Sequence, residues 1–201
     1  AYSGTGSART VSHNLSAVPE MMWIKRRSNT QNWAVYHKGA NGGTDPEDYG
    51  LELNSTSAEF NTNLYFNDTA PTSTVFTVGT QAAVNTSGET YIAYLFASVD
   101  SVSKCGSYSG NGSTTGPIVD CGFSSGARFV LIKRIDQASD WSVYDTVRGI
   151  TAGDDKTLEL NTSDSETTGQ VINPHSSGFQ LATADSFANA SGGTYIFYAI
   201  A

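Results

Sequence analysis

Two matching stretches decide the fold, Thr90-Tyr-Ile-Ala-Tyr-Leu-Phe-Ala97 and Thr194-Tyr-Ile-Phe-Tyr-Ala-Ile-Ala201, which lie 104 positions apart. Four further blocks recur upstream of them in the same order: Tyr2–Ser7 with Tyr108–Ser113, Ile24–Arg26 with Ile132–Arg134, Trp33–Tyr36 with Trp141–Tyr144, and Leu51–Asn54 with Leu158–Asn161. Five ordered matches with short gaps indicate an internal duplication. The sequence therefore predicts two units, at 1–100 and 101–201.

The composition favours β-structure. Ser, Thr, Gly and Asn occupy 81 of the 201 positions, and these residues disfavour long helices, while aromatic residues reach 11% and argue for a packed core. We expect an all-β fold of two tandem antiparallel β-sandwich units, jelly-roll or lectin-like in type. The predicted strands lie near 11–15, 21–27, 33–37, 51–54, 75–78 and 91–97 in the first unit, and near 118–122, 129–135, 141–144, 158–161, 178–181 and 194–201 in the second.

The last strand of each unit is apolar on both faces. One face should meet the sandwich core, and the other should be covered by its own domain, by the sister unit or by another subunit. We expect these strands to supply an assembly face made of Tyr91, Ile92, Tyr94, Phe96, Tyr195, Ile196, Tyr198 and Ile200.

Charge limits the classes of partner. The net charge of −8 argues against nucleic acid, which requires a basic footprint. The longest apolar run, Tyr91–Ala97, has seven residues, so no membrane insertion is expected. The basic pairs Lys25-Arg26 and Lys133-Arg134 occupy equivalent places on a strand in the two units. Three roles are possible for them: rim charges that meet carboxylates, contacts to an anionic partner, or a block to pairing at the edge of the sheet.

Acidic loops are candidates for a metal site. Asp45, Glu47 and Asp48 precede one strand, and Asp154 and Asp155 take the same slot in the second unit, where calcium could find oxygen ligands. Solvated turns are the alternative, and no other cofactor is expected. Gly122-Phe-Ser-Ser-Gly126 matches a nucleophile elbow, but no helix follows, so we interpret it as a turn and expect no catalytic residues and no enzyme activity.

Cys105 and Cys121 flank a Gly-rich turn. If Tyr108 and Ile118 pair across a hairpin, the two cysteines lie opposite one another and a disulfide comes within reach. Seven Asn-x-Ser/Thr sequons also occur, and they are either glycan sites or polar turns.

Several longer motifs resemble a family of β-rich virion proteins of tailed phages of aquatic bacteria. They are Ser7–Leu15, Val18–Arg27, Asn67–Pro71, Ser87–Ala97 and Cys121–Phe129, and the resemblance covers nearly the whole chain. It implies a non-enzymatic structural role in a tail fibre, tail appendage or capsid decoration, with a virion or extracellular location. Cys105 stands where the resemblance leads us to expect Val, so the disulfide would be peculiar to this sequence.

Three function classes follow. A structural module would pack against itself or other virion proteins, and a filament subunit would receive a strand from its neighbour, since only Ala1 precedes the Tyr2 motif and the opening strand is short. Alternatively, the native chain continues upstream. A glycan-binding module would contact a host-surface glycan through exposed aromatic residues, with Trp33 and Trp141 as candidates, although both lie in expected strands and are more naturally interpreted as core residues. A polysaccharide hydrolase would need two facing carboxylates, and none stands out.

Overall fold

Short runs of aromatic and β-branched residues form antiparallel strands in the computed structural model, which describes residues 1–201. Strands hold 39% of the residues and helices 9%, so the fold is all-β, as the composition predicts. The chain divides into unit 1, Ala1–Ala97, and unit 2, Ser98–Ala201. The sequence places this boundary between residues 100 and 101.

Unit 1 contains eight strands: β1 (Tyr2–Ser3), β2 (Arg9–Ser12), β3 (Met21–Arg26), β4 (Ala34–His37), β5 (Tyr49–Glu52), β6 (Phe60–Asn61), β7 (Val75–Val78) and β8 (Thr90–Phe96). They form a six-stranded sheet of order β1-β8-β3-β4-β5-β6 and a two-stranded sheet, β2-β7. Two one-turn helices, α1 (Asn63–Phe66) and α2 (Ala82–Asn85), and 3-10 turns at Ala40–Gly43 and Pro46–Asp48 lie in the connections.

Unit 2 contains nine strands: β9 (Ser103–Ser109), β10 (Ile118–Asp120), β11 (Phe129–Arg134), β12 (Trp141–Asp145), β13 (Asp155–Glu159), β14 (Thr167–Gly169), β15 (Ile172–His175), β16 (Gly178–Leu181) and β17 (Thr194–Ile200). They form a six-stranded sheet of order β14-β13-β12-β11-β17-β9 and a three-stranded sheet, β10-β16-β15. One short helix, α3 (Ser186–Asn189), precedes β17.

The two large sheets have the same strand order. Taken from opposite ends, β1-β8-β3-β4-β5-β6 corresponds to β9-β17-β11-β12-β13-β14. The register corresponds as well, since Arg26 pairs with Tyr91 in unit 1 and Arg134 pairs with Tyr195 in unit 2. This agreement is what a duplicated sequence predicts.

Each core lies between the large sheet and the small one. In unit 1, Ile24 of the large sheet and Phe76 of the small sheet belong to one buried cluster. In unit 2, Ile132 and Phe179 do the same. Each unit is therefore a β-sandwich with its own hydrophobic core. None of the helices is long and apolar enough to cross a membrane.

The alternation of β8 and β17 corrects the predicted assembly face. Tyr91 and Tyr195 are fully buried and belong to the cores of their units. The outward face of β8 consists of Ile92, Tyr94 and Phe96, because side chains alternate along a strand. On β17, Ile196 is buried at 1% exposure, and Tyr198 and Ile200 are half-buried. The predicted set therefore combined two opposite faces.

Candidate functional site

The repeated Tyr-Ser-Gly-x-Gly-Ser motif connects the end of the first strand of each unit to a short helix. In unit 1, Tyr2 stacks on Tyr91 at 5.1 Å between ring centroids, and its hydroxyl donates to the Val84 carbonyl at 2.6 Å. The buried Asn85 carboxamide bonds three backbone groups: the N–H of Thr5 at 2.8 Å and the carbonyls of Ser7 at 2.7 Å and Gly79 at 2.8 Å. We call this set, Tyr2 with Asn85, the clasp of unit 1.

Unit 2 contains the equivalent clasp, Tyr108 with Asn189. Tyr108 stacks on Tyr195 at 4.9 Å and donates to the Ala188 carbonyl at 2.8 Å. The Asn189 amide donates to three oxygens: the carbonyls of Thr183 at 2.7 Å and Ser113 at 2.8 Å, and Oδ1 of Asn111 at 3.0 Å. The glycine after each Tyr-Ser is required, because a Cβ on Gly4 would lie 2.1 Å from the Thr86 carbonyl oxygen.

Four of the sequon asparagines bond to the backbone of the folded chain. Asn85 and Asn189 are fully buried, so neither is an acceptor for a glycan in the folded chain. Asn54 accepts a hydrogen bond from the Trp33 N–H at 2.8 Å, and Asn161 accepts one from the Trp141 N–H at 2.8 Å. These four asparagines organise backbone. The shared offset between Asn85 and Asn189 could have identified them in the sequence.

The basic pairs lie within the large sheets. β3 and β11 each have neighbours on both sides, so the interpretation as a block to edge pairing is wrong. Arg26 forms an ion pair with Glu89, and Arg134 binds Asp136 through two bonds of 2.9 Å. The Arg side chains therefore act as rim charges that meet carboxylates.

The lysines of these pairs bind local carbonyls. Lys25 donates to Gln31 at 2.7 Å, and Lys133 donates to Ser139 at 2.6 Å. Burial lowers the pKa of Lys133 to about 8, and the nearby Asp140 opposes this shift. An anionic partner would compete with these internal contacts.

The acidic loops do not assemble a metal site. No group of three or more His, Cys, Asp and Glu side chains lies close enough to hold an ion, so the predicted calcium site at Asp45, Glu47, Asp48, Asp154 and Asp155 is not supported. Asp155 is instead fully buried, and its carboxylate accepts from three backbone N–H groups: Val171 at 2.9 Å, Ile172 at 2.8 Å and Thr151 at 3.3 Å. It ties the start of β13 to the start of β15.

The predicted disulfide is wrong. Tyr108 pairs with Tyr195, and Ile118 pairs with Gln180, so the expected hairpin does not form. Cys105 lies on β9 in the large sheet, and Cys121 follows β10 in the small one. Both thiols are buried and neither is in a disulfide. Burial, with a smaller contribution from Asp120, raises the pKa of Cys121 to about 12.

The outward face of the large sheet in unit 1 carries four aromatic rings. We call Trp23, Trp33, Tyr94 and Phe96 the aromatic face. Trp23 contacts Phe96 at 4.9 Å, and Trp33 stacks near Tyr94 at 6.3 Å, between ring centroids. Tyr94 is 45% exposed and Trp33 is half-buried. Trp141 is only 1% exposed, so it does not present a ring to a glycan.

A polar cavity of about 260 Å³ lies beside β13 and β14 in unit 2. Its lining consists only of hydroxyl and carboxylate side chains: Thr157, Glu159, Thr162, Asp164, Ser165 and Thr167. Thr157 is buried, whereas Asp164, Ser165 and Thr167 are exposed at the rim. The cavity was not recognised from the sequence, because its residues are those of ordinary polar turns. The sequence does contain a signal: Leu158–Asn161 repeats Leu51–Asn54, but Phe60, Tyr65 and Phe66 have no aromatic counterpart at the same offset in unit 2.

The model of a family described as a domain of unknown function, DUF7483, matches residues 1–201. No curated protein and no solved structure matches the chain.

Proposed function

The chain belongs to the DUF7483 family of domains of unknown function, and from this premise we propose that it is a non-enzymatic structural subunit of a virion or other extracellular assembly. It packs through the aromatic face of unit 1. Its partners are further copies of the same chain or other subunits of the particle. A tail fibre, a tail appendage and a capsid decoration all fit this role.

The aromatic face carries the proposal. Aromatic side chains are enriched at protein interfaces, where rigid rings bury much apolar area at small entropic cost. Four rings lie together on the side of the sheet that faces away from the core of unit 1. Met21 and Val35 on that side are buried, so the open part of the face lies around Tyr94. Tyr94, at 45% exposure, marks the accessible part of the face. Its hydroxyl gives the face a polar group for hydrogen bonding across an interface.

Two further features support a structural role. The polar groups in the interior, Asn85, Asn189, Asp155 and the Arg–carboxylate pairs, all hold backbone or strand ends in place. The motifs of the sequence resemble virion proteins over nearly the whole chain. A rigid module that presents one contact face is suited to repetition in a particle.

The test is the oligomeric state of the purified chain. We expect a defined oligomer at micromolar concentration by light scattering and sedimentation. Tyr94→Glu places a charge in the interface and should dissociate the oligomer into monomers. Leu64→Glu is a matched control, because Leu64 lies in the same unit, on α1, and has the same 45% exposure. This control should leave the oligomer intact.

Two results would contradict the proposal. One is a wild-type chain that stays monomeric across the whole concentration range. The other is an oligomer that survives Tyr94→Glu in a chain whose circular dichroism is unchanged.

A further inference from the structure

The cavity in unit 2 corresponds to a place that unit 1 fills with its own side chain. Three cavity residues, Thr157, Glu159 and Thr167, lie 107 positions after Gly50, Glu52 and Phe60. The strand register supports this equivalence, since Gly50 pairs with Phe60 on β5 and β6, and Thr157 pairs with Thr167 on β13 and β14.

In unit 1, Tyr65 of α1 contacts all three of these residues. Its hydroxyl donates to Oε1 of Glu52 at 2.9 Å, and its ring meets Phe60 edge-on at 5.4 Å between centroids. Gly50 leaves room for the ring, because a Cβ there would lie 2.6 Å from Cδ2 of Tyr65. Burial, and then Glu52, raise the pKa of the Tyr65 hydroxyl, so it remains a protonated donor.

Unit 2 lacks the segment that supplies this ring. β15 follows β14 directly, with no helix equivalent to α1. The glutamate of the repeated Leu-Glu-Leu-Asn block is retained as Glu159, but it faces an open cavity. The two residues that contact the Tyr65 ring in unit 1, Gly50 and Phe60, correspond in unit 2 to Thr157 and Thr167, so hydroxyl groups stand where the ring had apolar contacts.

The chemistry of the lining selects the occupant. Four hydroxyls both donate and accept hydrogen bonds, and two carboxylates only accept when ionised. Partial burial raises the pKa of Glu159, the neighbouring Asp140 and Asp164 raise it further, and a hydrogen bond from Thr162 opposes these shifts. A carboxylate accepts several hydrogen bonds, so a second hydroxyl that donates to Glu159 would stabilise its ionised form further. The lining holds no cationic side chain for an anion. Loss of the aromatic contacts disfavours a phenol and favours a ligand that carries several hydroxyls.

We propose that this cavity binds a neutral carbohydrate, one hydroxyl of which donates to Glu159 as the Tyr65 hydroxyl donates to Glu52. Asp164, Ser165 and Thr167 at the exposed rim bind the remaining hydroxyls of the same sugar ring, because Thr157 already interacts with Tyr144 and Thr162 with Glu159. The site is independent of the aromatic face, so it can be tested whether or not the chain assembles.

The experiment is a titration of the 15N-labelled full chain, followed by amide chemical shifts. Glucose, galactose, mannose and N-acetylglucosamine are each added alone, and calcium chloride is added alone in a separate series. At least one sugar should produce saturable shifts of the amides within residues 157–167. Calcium alone should leave these amides in place.

Variants assign the shifts to the cavity. Glu159→Gln keeps the shape but removes the charged acceptor, and should weaken sugar binding by about tenfold or more. Thr167→Trp fills the exposed rim and should abolish binding without a core substitution. Glu52→Gln is the matched control, because Tyr65 already occupies the equivalent place in unit 1, and sugar binding should be unchanged.

The proposal fails if none of the four sugars gives a saturable shift in residues 157–167. It also fails if Thr167→Trp, with a spectrum that shows a folded chain, binds as the wild type does. Shifts produced by calcium and not by sugars would make the cavity a cation site and would also overturn it.

Discussion

Lys133 shows at the residue scale what burial does to a charge in this fold. Its side chain has no exposed surface, and its ammonium donates to the Ser139 carbonyl. Burial lowers its pKa to about 8 from the ordinary lysine value of 10.5. At neutral pH the folded chain therefore carries a charge that is better solvated in the unfolded chain, and this opposes folding.

Lys133→Met should consequently stabilise the chain by about 1–3 kcal/mol at pH 7. Below pH 8 the wild type bears the full cost of the buried charge. Between about pH 8 and 10.5 the folded lysine loses its proton while the unfolded one keeps it, so the wild type gains stability as pH rises. The advantage of the variant should shrink over this range. Urea unfolding of both chains at pH 7, 8, 9 and 10 measures the difference between their free energies of unfolding. A difference that stays constant with pH would contradict the lowered pKa of Lys133.

The sequence identifies which residues are candidates for a site, but it does not predict how buried they are or which residues surround them. Trp33 and Trp141 occupy equivalent positions in the repeat, yet one is half-buried and the other is 1% exposed. Cys105 and Cys121 flank one turn in the sequence, yet they lie in different sheets. Burial and distance depend on pairing between strands that are remote in the chain, and local sequence does not encode that pairing.

At the scale of elements, hydrophobic pattern located the main core strands but not all strands, since β6 and β15 were not expected and the strand expected at 158–161 begins three residues earlier, as β13. The expected strands at 75–78 and 178–181 match β7 and β16 in both bounds. β9 was missed, because three serines and one glycine make Ser103–Ser109 resemble a polar turn. It forms a strand because β17 offers seven successive backbone partners. The single-turn helices were missed for a related reason, since their stability comes from tertiary contacts such as the clasps.

The clasp of unit 1 should make a large contribution to stability for one residue. Asn85→Ala removes three hydrogen bonds and leaves the Gly79 carbonyl buried without that donor, so we expect a loss of about 2–4 kcal/mol. Asn29→Ala removes only an exposed bond to the adjacent Thr30 N–H, and should change stability by less than about 0.5 kcal/mol. Chemical denaturation of both variants gives the comparison. Equal losses of stability in the two variants would contradict the contribution expected of Asn85.

At the scale of the whole molecule, the repeat predicted the common strand order but not where the units differ. Unit 1 places α1 and its Tyr65 over the edge of the sheet, whereas unit 2 builds β15 and ties it down with Asp155. Two units with the same strand order thus differ at this edge, which is closed in unit 1 and open as a cavity in unit 2. The difference lies in segments that the repeat does not match, so a comparison of the matched blocks alone does not show it.

Each unit should fold alone, because each has its own large sheet, small sheet and buried cluster. We expect fragments 1–97 and 98–201 to give β-type circular dichroism and a cooperative urea transition. Tryptophan fluorescence follows both, through Trp23 and Trp33 in the first fragment and Trp141 in the second. Asn85→Ala should lower the midpoint of fragment 1–97, and Asn189→Ala should lower that of fragment 98–201 by a similar amount, because the two clasps make equivalent bonds. A fragment without a cooperative transition would mean that its core is not sufficient for folding.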